Sequence, residues 1–171
     1  HKKFLHYDAI DFGNQSPTSI YTLFGFPEVW STASTSDDEI VKYKALQYTT
    51  YQYDRNTSHL SEYQERFHIL LDSQIDKSFD FDAILVQPAH LAGNPTSITN
   101  NLRGISGCSV WKIGDVTTPF DSWDLEKAKL VAVQIGVYND SKAIKATRWV
   151  AVNTLILNAF PELKSVMKLY F

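Results

Sequence analysis

Ser106 is the residue in this sequence best placed for nucleophilic chemistry. It lies in the segment Gly104-Ile105-Ser106-Gly107-Cys108-Ser109, where a glycine stands two residues before it and another directly after it. A serine hydroxyl attacks a carbonyl only when a base removes its proton and hydrogen-bond donors stabilise the oxyanion that forms. Glycines keep the backbone thin and tolerate unusual dihedral angles, so they suit such a loop. The same short pattern also occurs in turns that have no catalytic role.

The candidates for the other catalytic groups are less well defined. Two aspartates near the start of the chain, Asp8 and Asp11, are candidate acids. His59 lies in a polar stretch that favours a solvated side chain, and His68 is flanked by Phe67 and Ile69, which favours a packed strand residue. His90 lies in a loop-like segment, and none of the histidines has a spacing typical of a metal site. We therefore expect neither a metal nor another cofactor.

Composition excludes several classes of function. The 171 residues carry a net charge of −3 and contain no basic run, so binding to nucleic acid is not expected. No apolar run reaches the length of a membrane-spanning helix, so no membrane partner is expected either. The single cysteine, Cys108, cannot form an internal disulfide, and this favours a reducing, cytoplasmic location.

The chain is predicted to be mainly β. Aromatic residues make up 13% of it, and they favour strands. Strand-forming segments end at glycine, proline or polar turns, and one segment near the end has helical spacing and stops at Pro161. The predicted strands are 20–27, 81–86, 109–113, 130–138 and 143–149. Residues 41–53 are predicted to form one or two further strands, which are exposed. Residues 62–72 are ambiguous between helix and strand, with 67–71 as a buried run, and 150–159 are predicted as a helix.

Residues 101–111 resemble the region around the active serine of trypsin-like serine peptidases, where Gly-x-Ser-Gly-Gly-Pro precedes an apolar strand. The Gly-x-Ser-x-Gly elbow of α/β-hydrolases is not matched, because Cys108 stands at its last position and a strand follows. Residues 21–27 are similar to the Gly-Phe-Pro strand that opens the second barrel of bacterial members. Residues 7–12 are similar to the segment that carries the family's triad aspartate.

This resemblance implies a chymotrypsin-like antiparallel β-barrel with a C-terminal helix. Residues 1–18 would be the end of a first barrel, and 19–171 the second barrel and the helix. Ser106 would be the nucleophile, and Asp8, 98 residues before it, the triad acid, with Asp11 competing for that role. The main-chain N–H groups of Gly104 and Ser106 would form the oxyanion hole.

Substrate contacts also follow from the resemblance. Residues 130–136 look like the strand that lines the specificity pocket, and the backbone of a peptide or protein substrate would pair with Val133, Gln134, Ile135 and Gly136. Asn100, or a residue near it, would form the base of that pocket. Cys108 and Ser109 depart from the family pattern, which has Gly-Pro at these positions.

The family's histidine lies well upstream of the aspartate, and no residue before Asp8 suits that role, because His1 and His6 are too close to it. The chain also begins with His1 and not with Met, so we expect a piece of a longer chain whose other domains would be partners. Two functions stay open: a serine endopeptidase that an upstream histidine completes, and an inactive peptidase-like module that binds peptides or other proteins.

Overall fold

The computed structural model describes residues 6–13, 15–25, 32–33, 41–42, 46–73, 105–119, 122, 124–165 and 167. The predicted strand at 81–86 lies outside these residues, as do Gly104 and Asn100. The predicted mainly β class is confirmed for the described residues.

Eight strands and one α-helix form the described part of the chain. The strands are β1 (Ser19–Gly25), β2 (Thr32–Ala33), β3 (Val41–Lys42), β4 (Leu46–Tyr51), β5 (His68–Asp72), β6 (Ser109–Asp115), β7 (Lys129–Tyr138) and β8 (Ala143–Arg148). The helix α1 spans Trp149–Ala159, and short 3₁₀ helices cover Tyr7–Ala9, Leu125–Lys127 and Pro161–Ser165. The ambiguous segment at 62–72 therefore ends as a strand, β5.

Six of the strands form one antiparallel sheet in the order β4-β1-β6-β7-β8-β5, while β2 and β3 pair separately. The two outer strands, β4 and β5, meet beyond the end of β4, where Gln52 and Leu71 form an isolated antiparallel bridge. Next to this bridge the Tyr53 N–H donates to the Leu70 carbonyl at 2.9 Å. The sheet is therefore curled into a half-barrel whose edge strands touch at one end.

The core fills the inner face of this half-barrel. Its main cluster contains apolar side chains from six strands and the residue before Ser106, namely Tyr21, Leu23, Tyr48, Ile69, Leu71, Ile105, Val110, Val131, Ala132, Ile144 and Ala146. Tyr21 is fully buried, and its hydroxyl donates to the Ser16 carbonyl at 3.4 Å. Burial disfavours the phenolate and raises the pKa of Tyr21 to about 12.

The prediction of exposed strands at 41–53 is wrong for the side chains that the structure describes in β4. Tyr48, Thr49 and Thr50 are all buried. Tyr48 and Thr50 lie against the end of β5, whereas Thr49, on the other face of β4, donates to the Thr22 hydroxyl at 3.2 Å. Tyr48 and Thr50 donate from their hydroxyls to the Asp72 carbonyl at 3.1 and 2.7 Å. These hydrogen bonds offset the cost of burying the hydroxyl groups.

A second polar contact stabilises the same junction. The buried Asp72 carboxylate pairs with the Arg55 guanidinium at 3.1 Å, and the same Arg55 nitrogen donates to the Lys142 carbonyl. Arg55 also lies 4.4 Å from the centre of the Tyr53 ring. One guanidinium therefore connects the end of β5 to the turn between β7 and β8.

The helix α1 follows β8 directly and confirms the predicted helix at 150–159. It buries Asn153 and Leu157 against the sheet and ends before Pro161, which lacks the N–H that a further turn would need. Tyr7 in the first 3₁₀ helix reaches α1, since its hydroxyl donates to Asn153 at 3.5 Å. The N-terminal segment and α1 are thus packed together.

Candidate functional site

Ser106 occupies the corner of a tight turn. The Cys108 N–H donates to the Ile105 carbonyl at 2.9 Å, and Gly107 has φ = 91°. These are the features of a type II turn, which needs a positive φ at its third residue and therefore favours glycine there. Ile105 is buried, with 1% of its surface exposed, while Ser106 is exposed. The turn anchors one side chain in the core and presents the next to solvent.

Two further hydrogen bonds attach this turn to β7. The Gly107 N–H donates to the Gln134 carbonyl at 2.8 Å, and the Gln134 N–H donates to the Cys108 carbonyl at 2.9 Å. Both main-chain groups of Gln134 are therefore used by the turn. The position of Ser106 relative to β7 is set by backbone geometry and does not depend on a flexible side chain.

Close packing against β1 supports the turn from behind. A Cβ atom added to Gly25 would lie 1.8 Å from the Cys108 Sγ and 3.2 Å from the Cys108 Cβ. Gly25 is needed for space, since any side chain there would displace the cysteine that closes the serine turn. Sequence reasoning linked neither residue to the other, because Gly25 and Cys108 are 83 positions apart and no pattern connects them.

Beyond the turn, β7 has a partner strand on one side only among the described strands. Its pairing with β6 ends at Val133, opposite Ser109, whereas its pairing with β8 continues to Tyr138. Of the residues predicted to bind substrate backbone, Val133 and Gln134 already have neighbours on both sides. Ile135, which is 43% exposed, and Gly136 lie in the open half of β7, the part that pairs with β8 alone among the described strands.

Asp8 is not adjacent to Ser106. A parallel bridge pairs Ile10 of the N-terminal segment with Leu130 of β7. Leu130 precedes Gln134, the residue that is hydrogen-bonded to the serine turn, by four positions, or about 13 Å at 3.3 Å per residue. Asp8 lies in the 3₁₀ helix before Ile10, and its carbonyl accepts from the Lys129 ammonium at 2.7 Å. Its carboxylate is 83% exposed and pairs with His6 Nδ1 at 3.1 Å.

Asp11, the competing acid, is more buried and has different partners. Its main-chain N–H donates to the Leu130 carbonyl, and its carboxylate accepts the Gly13 N–H at 2.8 Å. The Lys112 ammonium lies 3.9 Å from the same carboxylate. The roles of Asp8 and Asp11 as triad acids stay predictions.

The described histidines contact other groups than Ser106. His59 Nε2 lies 2.9 Å from the Ser141 hydroxyl, so this side chain is exposed, as predicted, but hydrogen-bonded. His68 lies on β5, as predicted for a packed strand residue, and its Nδ1 accepts the Gln64 N–H at 3.0 Å. No described histidine hydrogen-bonds to Ser106, and His1 and His90 lie outside the described residues.

The described residues form neither a metal-binding cluster nor a membrane-spanning helix. None of the His, Cys, Asp and Glu side chains in those ranges form a group of three or more that suits a metal ion. No helix in the described part of the chain has both the length and the apolar character that crossing a bilayer requires.

The site is therefore an exposed serine at a rigid turn, beside a part of β7 that pairs with β8 alone among the described strands and whose Gly136 carbonyl accepts from the Gln134 Nε2 at 3.1 Å. Fold and site together define a mainly β protein with a half-barrel sheet, a C-terminal helix and a presented serine. No family model, curated protein or solved structure matches the chain in our comparisons.

Proposed function

We propose that this chain is the nucleophile-bearing part of a trypsin-like serine endopeptidase. The observation that carries the proposal is the type II turn that presents Ser106 beside the open half of β7. A peptide laid along Ile135 and Gly136 as an added strand would bring its backbone next to the serine hydroxyl. The six-stranded antiparallel half-barrel and the C-terminal helix agree with the fold that the resemblance implies.

In the proposed reaction the Ser106 hydroxyl attacks the carbonyl carbon of a peptide bond. A base takes its proton, a tetrahedral oxyanion forms, and the same base returns the proton to the leaving amine. Water then hydrolyses the acyl-enzyme, again with the base removing a proton. The Gly104 and Ser106 N–H groups are the proposed donors to the oxyanion.

A histidine outside the described residues is the proposed base. It belongs either to the chain itself, as His90 does, or to a preceding segment of a longer protein. Asp8 stays the proposed acid only if such a segment separates it from His6, because its carboxylate now lies 3.1 Å from the His6 Nδ1. A location in the cytoplasm also stays a prediction.

The alternative is an inactive module that binds peptides through the same surface. The favouring observation is that Ser106 has no hydrogen bond to any described histidine, since His6, His59 and His68 contact other groups. Such a module would keep the open half of β7 and use it for binding alone.

Covalent labelling with a fluorophosphonate probe tests the proposal. The probe should label the longest natural form of this protein at a single site, and Ser106→Ala should abolish labelling. Ser122→Ala is the matched control, since Ser122 is also exposed but lies in the connection between β6 and β7. Absence of labelling in folded protein that still binds peptides would refute the peptidase and support the inactive module.

A further inference from the structure

Lys145 is a nearly buried lysine that the proposed reaction does not use. It lies on β8 with 9% of its surface exposed, and it is the partner of Gly136 in the pairing of β7 with β8. Lysine is rarely buried to this extent unless its ammonium is paired, because removing a charge from water is costly. This ammonium therefore needs an anionic partner.

The partner that the structure gives it is a loose one. The Glu62 carboxylate lies 3.8 Å from the Lys145 nitrogen, beyond the hydrogen-bond range of about 2.7–3.2 Å, and the Glu62 side chain is 87% exposed. Within the described part of the chain the Lys145 ammonium donates no hydrogen bond, although it carries three N–H groups. A carboxylate in water contributes little to such a pair, so an incoming carboxylate can replace that of Glu62.

The Lys145 side chain lies over the open half of β7 because Gly136 has no side chain there. A Cβ atom added to Gly136 would be 3.8 Å from the Lys145 Cε. The Lys145 nitrogen lies 5.4 Å from the centre of the Tyr138 ring, and Tyr138 is on the same face of β7, two residues beyond Gly136. The ammonium is thus placed at the strand residues along which we propose that a peptide binds.

The neighbouring side chains do not neutralise this charge. The Tyr138 ring offers a cation–π contact and no anion, and its hydroxyl donates to the Ser61 carbonyl. Burial, with a contribution from the Lys145 charge, lowers the pKa of His68, so His68 favours its neutral form. Among the described residues, Glu62 alone forms an ion pair with Lys145.

A peptide strand added along β7 would bring its own side chains to the same place. Residues directly opposite each other on neighbouring strands have side chains on one face, with Cβ atoms about 4.5–5.5 Å apart. The peptide residue opposite Gly136 would therefore project over the face on which the Lys145 ammonium lies. A Glu or Asp side chain there can accept a charge-assisted hydrogen bond, which is stronger than the bond that a neutral Gln can accept.

We propose that Lys145 selects peptides with an acidic side chain opposite Gly136, and that Glu62 pairs with the ammonium when no peptide is bound. This inference rests on the proposed peptide site along β7, and it holds whether or not Ser106 is catalytic. Gly136 is two residues, or about 7 Å, beyond Gln134, which is hydrogen-bonded to the serine turn. The acidic residue would therefore lie within a few residues of the bond that Ser106 attacks.

Binding of matched peptides to the 171-residue chain tests this inference. In isothermal titration an acetylated, amidated tetra-alanine with one residue replaced by Glu should bind about tenfold more tightly than the same peptide with Gln, the order expected of a hydrogen bond to a charged group. Lys145→Met, which keeps the length of the side chain, should remove this preference. Glu62→Gln changes an exposed residue and removes the competing carboxylate, so it should strengthen binding of the Glu peptide about threefold.

The control and the position of the bound peptide complete the test. Lys127→Met removes a charge from an 81% exposed side chain elsewhere and should leave both affinities unchanged. In NMR spectra the Glu peptide should shift the backbone amides of Gly136 and Tyr138. Equal affinity for the Glu and Gln peptides, no binding of either at about 10 mM, no tightening in Glu62→Gln, or a preference that survives Lys145→Met would each overturn the inference.

The outcomes also separate this inference from the peptidase proposal. A preference for the Glu peptide that depends on Lys145, without fluorophosphonate labelling of Ser106, would support the selection of acidic peptides and refute catalysis. Labelling of Ser106 together with equal affinity for the two peptides would support catalysis and refute the role of Lys145.

Discussion

Replacing Gly25 with alanine perturbs the packing behind the serine turn. The new Cβ would lie 1.8 Å from the Cys108 Sγ, about half of a normal carbon contact distance. No positive φ is recorded at Gly25, so the substitution adds a clash without adding backbone strain. Cys108 is packed against the core cluster and closes the turn with its own N–H, so it has little room to move. We expect a loss of about 3 kcal/mol, the upper part of the usual range for overpacking.

A double-mutant cycle isolates this contact. Cys108→Ala alone should cost about 1 kcal/mol, the order of one buried methylene-sized group. Additive effects would then give about 4 kcal/mol for the double variant. Removing Sγ leaves only a 3.2 Å approach between the two Cβ atoms, so we expect the double variant to lose about 2 kcal/mol. The coupling of about 2 kcal/mol measures the clash itself.

Urea and thermal unfolding followed by circular dichroism provide the assay. For a chain of this length, 3 kcal/mol corresponds to a fall in Tm of about 6–12 °C. Gly136→Ala is the matched control, since its nearest neighbour would be the Lys145 Cε at an ordinary 3.8 Å, and it should change stability by less than about 0.5 kcal/mol. A Gly25→Ala variant as stable as the wild type, or a double variant that shows no coupling, would refute this account of the turn.

Three further outcomes are expected. Gly107→Ala should destabilise the chain by about 1–2 kcal/mol through backbone strain, because φ is 91° there. A steric clash does not contribute, since no atom lies within 4 Å of the new Cβ. Gly107→Asn should cost less in the same unfolding assay, because Asn tolerates a positive φ better than Ala does. Arg55→Met should cost about 3 kcal/mol in urea unfolding because it removes the guanidinium that pairs with the buried Asp72 carboxylate, and an unchanged midpoint would contradict this. The folded state lowers the pKa of His68, so the unfolded chain binds a proton there more readily than the folded chain does. The free energy of unfolding should therefore fall as the pH drops below about 6.5, the pKa of a free histidine, and stop falling below the folded-state pKa. In the same pH titration His68→Asn should show a smaller decline.

The sequence predicted the local elements well where a single segment carries the signal. Strand-forming residues and flanking turns indicated β1, β6, β7 and β8, and α1 was indicated by helical spacing before Pro161. The exposed surface assigned to β4 was wrong, because burial there depends on β5 meeting it from the other edge of the sheet. Short-range patterns do not contain that contact.

The candidate site was predictable only in part. The glycines around Ser106 predicted a loop with unusual backbone angles, and the structure has a turn there with a positive φ at Gly107. The space that Gly25 leaves for Cys108 joins two distant segments, so no spacing in the sequence indicated it. The role of Asp8 as triad acid relied on a resemblance and on chain order, and it stays a prediction.

The order of strands in the sheet has a consequence for how the protein folds. The β7–β8 hairpin pairs residues as close as Tyr138 and Ala143, whereas β1 and β6 join Tyr21 to Lys112, 91 positions apart. Closing so long a loop is entropically costly and slows folding of β topologies to milliseconds or seconds. The serine turn and β7 can therefore assemble early, while Gly25 reaches Cys108 only with the late pairing of β1. Gly25→Ala should then speed unfolding far more than it slows folding.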